Sequence, residues 1–333
     1  VLDYMNKNET NSEDYRFYYP EGSILKPFKE QKLNGLLPVQ GWSEKYVHPR
    51  TKKVEYDVFM NTSPIGSRIN QGHDLDAKKH LIIAGDSQVF GIGVQDHEVM
   101  SNVMNFNHSS FNTYNMGHAA WSASSTYLFF DPNIDFYLKD YIKEDQGVMV
   151  YLMLPYLTLR DNGFPEALYY TSGGLTNYER EEDKLVLKGT FKQTNDYWTN
   201  LKKMATFYDK VKFTEHYIMP IAYFFSRERM FRAAYSHSAF ILEKMKERYL
   251  EIFPNSQFYV LTCDHLHYDP WNLTAQEFAK YDLEVIDLGD EKICQGIKPY
   301  AFTEHHFNAK GHQEMMRIIE ENIVFKNKEL LDL

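Results

Sequence analysis

Cysteine is nearly absent from this chain: Cys263 and Cys294 are the only two in 333 residues. Two cysteines cannot build a disulfide framework, and no metal-ligand spacing surrounds them. They can pair in an oxidising compartment, provided the fold brings them within reach. Long hydrophobic runs are missing too, since no stretch approaches the roughly 18–20 apolar residues that span a bilayer. Nor is there an excess of positive charge. The formal net charge of -10 argues against nucleic acid as a partner, because phosphate binding needs a basic face.

What is present is the material of a core. Hydrophobic residues make up 43% and charged residues 25%, which is too apolar and too weakly charged for wholesale disorder. Aromatics stand at 16%; a core filled with Phe and Tyr accounts for them, and sugar-stacking surfaces are the second reading. The length suits one α/β domain with extensions. Residues 1–78 read as an irregular N-terminal extension, with one strand at "VEYDVFMNT" (54–62).

Regular patterning begins at His80. "HLIIAG", "NTYNMG" (112–117), "GVMVYLML" (147–154), "QFYVLTC" (257–263) and "YDLEVIDLG" (281–289) read as strands. Helices are expected over 96–106, 231–253 and 308–325, the last with Asn308 as N-cap. This strand–helix alternation predicts a parallel sheet covered on both faces over residues 79–333. An insertion at about 161–200 carries the turns and short alternating runs of a hairpin.

Two segments carry chemistry. "HLIIAGDSQVFGIG" runs a buried strand into Gly85-Asp86-Ser87, and a tight strand-to-helix turn there would expose a serine at the sheet's carboxyl edge. "FTEHHFNAKGH" (302–312) supplies His306, with Glu304 two residues before it, just ahead of the final helix. A serine nucleophile needs a base, and the base an orienting acid on its other ring nitrogen. In "CDHLHYD" (263–269), His265 and His267 stand close to Cys263 as loop histidines rather than as a metal site.

Together these blocks resemble the SGNH, or GDSL-like, hydrolases, over about residues 79–325. "AGDSQVFGIGVQD" is similar to the family's first block, "YNMG" to its second, and "HFNAKGH" to the sequence around its histidine. The resemblance implies a flavodoxin-like α/β/α sandwich with Ser87 as nucleophile and His306 as general base. Glu304 would be the acid, and the Ser87 and Gly117 N–H groups the oxyanion donors. Asp86 reads as a turn-builder pointing away from the serine. Two departures stand out. The third block's polar donors are replaced by Pro155, Tyr156 and Leu157, with Asn162 several residues later, and the acid lies two residues before the histidine rather than three.

The implied activity is a serine esterase removing acyl groups, acetyl above all, from a glycan or a small ester, with no cofactor and no metal. One alternative is an O-acyltransferase of a cell-envelope polysaccharide, fed by a membrane-associated acyl-donor protein. Another is a catalytically weakened glycan-binding protein on the same fold. The relatives imply a bacterial extracytoplasmic location: periplasmic, secreted, or anchored through a segment ahead of Val1.

Overall fold

A computed structural model describes residues 41–48, 50–63, 65–134, 138–163, 175–191, 194, 219–263, 272–295, 299–302, 305–331 and 333. An antiparallel hairpin opens the described chain, β1 (Trp42–Val47) against β2 (Val54–Met60). Only the second strand is expected from sequence. The β1 sequence "WSEKYV" is interrupted by charge, and Lys45 is spent on a cross-strand pair with Asp57 at 2.7 Å. The alternating face of β2, Tyr56, Val58 and Met60, is buried against Phe90 and Ile92.

The central sheet has five parallel strands: β3 (Lys79–Gly85), β4 (Phe111–Gly117), β5 (Gln146–Met153), β8 (Gln257–Thr262) and β9 (Glu284–Asp287). Their spatial order is β4-β3-β5-β8-β9. Counting only these strands, that is the 2-1-3-4-5 order of flavodoxin-like sheets. Behind its first residue, each of β3 and β5 is buried at every position. Such continuous burial is what parallel strands covered on both faces require.

Short helices follow the early strands: α1 (Ser87–Phe90) and α2 (Met100–Asn107) after β3, then α3 (Ala123–Tyr127) and α4 (Leu138–Tyr141) after β4. Behind β5 come α5 (Leu157–Asp161) and the antiparallel hairpin β6 (Thr176–Glu181) and β7 (Lys184–Thr190). The long α6 (Met219–Ile252), α7 (Leu273–Phe278) and α8 (Ala309–Ile319) complete the chain's main elements. α6 packs on α3, α5 and α7, whereas α8 packs on α2, so two helix groups clothe the sheet.

Several boundaries move. The helix expected over 96–106 breaks at Val99 into a 3-10 turn (Asp96–Glu98) and α2, the turn being closed by a reciprocal Gln95–Glu98 capping box. α6 starts well before Phe231, with Pro220 in its first turn, where a missing N–H costs nothing. Asn308 does cap α8, its side chain accepting from Gly311 N at 3.0 Å. The insertion's hairpin lies where the turn signals put it, while 164–174 and 195–218 lie outside the described residues.

Candidate active site

The site is built first by the turn between β3 and α1. Asp86 is the N-cap of α1, its Oδ1 accepting from Gln88 N at 3.0 Å, and Ser87 is the first helical residue. Gly85 permits the closeness of this turn: a Cβ there would stand 2.7 Å from Val89 Cγ2 and 3.2 Å from Leu152 O. Gly117, at the end of β4 and paired with Gly85, lies directly beneath α1. A Cβ on it would reach 2.4 Å from Phe90 N, so any side chain would lift the helix off the sheet.

His306 arrives from the far end of the chain. Its loop folds back on itself through an Ala301–Phe307 bridge, Phe302 N to His306 O at 2.9 Å, and Asn308 N to Tyr300 O at 3.0 Å. His306 Nε2 stands 2.9 Å from Ser87 Oγ, across 219 residues of sequence. Ser87 is 6% exposed, so the pair sits at the bottom of the site rather than on an open surface. Of the other expected residues, Glu304 lies outside the described residues, as do His265 and His267.

Two expectations need correction. Gly117 N–H donates to Asn115 Oδ1 at 2.9 Å, and the glycine is covered by α1. That donor is engaged inside the strand end. Asp86 builds the turn as expected, but it does not point away. Its buried Oδ2 lies 3.4 Å from Ser87 Oγ and accepts from Tyr156 Oη at 2.6 Å and Arg160 Nη1 at 3.2 Å.

Tyr156 and Arg160 are the residues that sequence reading missed. They stand four apart around α5, so they share one face of its single turn. Asp161 fixes that turn, accepting from Ser124 N and from Ser238 Oγ, each at 2.7 Å. Arg160 Nη1 also donates to Trp121 O at 3.0 Å, tying the loops after β3, β4 and β5 together. The spacing of Tyr156 and Arg160, immediately beyond the most apolar strand, was the signal available. Asn162, the late candidate for a polar donor, instead turns to Thr158 O and Ala234 O on the α6 side.

Helix α1 is held at its other end by Arg68, a fully buried side chain. Its guanidinium donates to Gly91 O at 2.8 Å, Val94 O at 3.0 Å and Asp96 Oδ1 at 2.6 Å. Close by, burial above all, with the positive charge of Arg68, pushes the His312 pKa down to about 3, so its imidazole is neutral. Its Nδ1 accepts from Met100 N at 3.4 Å.

Both halves of the site lie at the carboxyl ends of strands. Ser87 follows β3, Tyr156 and Arg160 follow β5, and the strand order reverses between these two neighbours. This is the crevice in which open parallel sheets bind ligands.

No protein-family model and no curated protein matches the chain. Among solved structures it is similar to an acetyl xylan esterase, Est2A, from the rumen bacterium Butyrivibrio proteoclasticus. That likeness has a TM-score of 0.32 at 10% identity, and covers 82% of this chain and 68% of the other.

Proposed function

We propose that the protein is a serine esterase of the SGNH type that removes acyl groups, acetyl above all, from a glycan or a related ester. The observation that carries this reading is the 2.9 Å approach of His306 Nε2 to Ser87 Oγ at the reversal point of the sheet. With its proton on Nδ1, the imidazole accepts the Ser87 proton at Nε2 as Oγ attacks the acyl carbon. The carbonyl π pair moves onto oxygen, and the oxyanion is met by the Ser87 N–H at the start of α1. Backbone donors aimed in this way are worth roughly 10²–10³ in rate each. Collapse of the intermediate expels the alcohol, which takes its proton from His306. Water then repeats the sequence on the acyl-enzyme. Glu304 is the acid for Nδ1.

Asp86 has a different task. Its carboxylate already accepts from Tyr156, Arg160 and Gln88, and Ser87 Oγ at 3.4 Å is beyond ordinary O–H···O length. The serine proton therefore goes to His306. An extracytoplasmic location belongs to the same reading, and a disulfide between Cys263, just past β8, and Cys294 supports it.

A fluorophosphonate probe tests the proposal. Parent protein should label and release acetate from p-nitrophenyl acetate, and Ser87→Ala should do neither, with at least a thousandfold loss by the non-additive logic of such sites (about 10³ or more). Labelling of both forms, or of neither, overturns the esterase reading. Acetyl transfer to an added glycan that outruns hydrolysis would make the enzyme a transferase.

A further inference from the structure

Gln88 follows the candidate nucleophile directly and is 3% exposed, although its side chain is a polar amide. Both ends of that amide are used, and both on the same short piece of chain. Nε2 donates to His305 O at 3.1 Å, while Oε1 accepts from Phe307 N at 2.8 Å. The two peptide groups it holds are those immediately before and after His306. One side chain thus brackets the histidine as a neighbouring strand would, with a donor and an acceptor in register.

This clamp does more than bury a glutamine. His305 has φ 77, a left-handed conformation that is costly for a non-glycine residue and persists only where its surroundings hold it. The Gln88 amide grips the carbonyl of that very residue. Because Gln88 and Ser87 are consecutive in α1, the loop is referenced to the same rigid turn that carries the serine. A separation of 219 residues is reduced to one helical step and two hydrogen bonds.

We infer that Gln88 is a positioning residue, which sets the Ser87–His306 distance by clamping the peptide groups on either side of the histidine. The inference rests on the esterase reading above. Orientation of a catalytic pair is worth much: a misplacement of about 1 Å costs on the order of 10²-fold in rate. Gln88→Met keeps the shape and removes both bonds. It should lower kcat on p-nitrophenyl acetate roughly tenfold to a hundredfold, leave KM within about twofold, and increase hydrogen exchange at the Phe307 amide.

Gln88→Glu provides the second arm. It keeps an acceptor for Phe307 N but sets a carboxylate against His305 O and close to His306. Among the described residues, Asp86 on the serine side is paired with Arg160, and buried His312 on α8 is neutral. An added carboxylate favours the imidazolium, so the acid limb of the kcat/KM profile should move to higher pH. A purely structural glutamine would lower thermal stability and activity together in both variants, with the pH limb unmoved. That result, or unchanged kcat in Gln88→Met, overturns the positioning role. Parent protein that fails to label with the fluorophosphonate overturns the esterase reading itself, and the positioning role with it.

Discussion

The two ends of helix α1 are held by opposite arrangements of the same chemistry. At its start a buried carboxylate, Asp86, is served by a cation whose side chain is 19% exposed, Arg160. At its end a fully buried cation, Arg68, is served by Asp96, 11% exposed. Four residues of helix are far too few to stand by their own hydrogen bonds. Tertiary anchors must therefore fix the helix that carries Ser87. The anchors differ in reserve. Asp86 keeps the Tyr156 hydroxyl and the Gln88 N–H if Arg160 is lost. By contrast, Arg68 donates to two buried carbonyls, Gly91 O and Val94 O, as well as to Asp96, and of these three acceptors Asp96 has Asn61 N at 3.3 Å as a second donor.

The largest expected effect therefore falls on the Arg68 side. Arg68→Met removes the cation, leaves Asp96 partly buried without it, and strips two carbonyls of their donor. Breaking a buried pair from one side costs about 3–5 kcal/mol. Urea unfolding should show that loss as a lower midpoint, and a change below about 1 kcal/mol would mean that the loop after α1 does not depend on this residue.

Acid should weaken the same side next. His312 has a folded pKa near 3 against an ordinary 6.5, so the unfolded chain binds the proton more readily. Stability from this group is complete above about pH 6.5 and is lost as pH falls towards 3. At pH 4.5 the loss is roughly 2–3 kcal/mol for one such imidazole. His80 and His118, held near 3 and 4 by burial, add with the same sign. His312→Leu should flatten the difference between unfolding free energies at pH 7 and pH 4.5. An unchanged difference would place the acid sensitivity elsewhere.

Parts of this architecture were legible because they depend on local pattern. An uninterrupted apolar run ending in Gly-Asp-Ser announces both β3 and the tight turn after it, and Asn308 caps its helix through its own side chain. Ser87 and His306 could be nominated by chemistry, and the structure brings them together. What was not legible is what depends on distance in space. The β1 strand hides its pairing behind charged residues. Arg68 is a single arginine in a loop, and only the fold shows which carbonyls it reaches. The Gln88 clamp spans the whole molecule and ends on backbone groups, which leave no trace in side-chain identity. Gly117 is required, but for the close approach of α1 and not for a free N–H.

The smallest effect tests the comparison most directly. Arg160→Met leaves Asp86 buried, with the Tyr156 hydroxyl at 2.6 Å and Gln88 N at 3.0 Å still donating to it. The carboxylate loses its counter-charge but is not stranded, and Arg160 is exposed enough for water to reach the vacated place. The expected cost is about 1–2 kcal/mol, the range of one hydrogen bond to a charged group. Trp121 O loses its donor as well, so the loops after β4 and β5 should loosen against each other. Measured under the same urea conditions, Arg160→Met should destabilise by less than half as much as Arg68→Met. Equal losses would mean that the hydroxyl and the backbone N–H do not sustain the buried carboxylate, and that the two ends of α1 are anchored by charge alone.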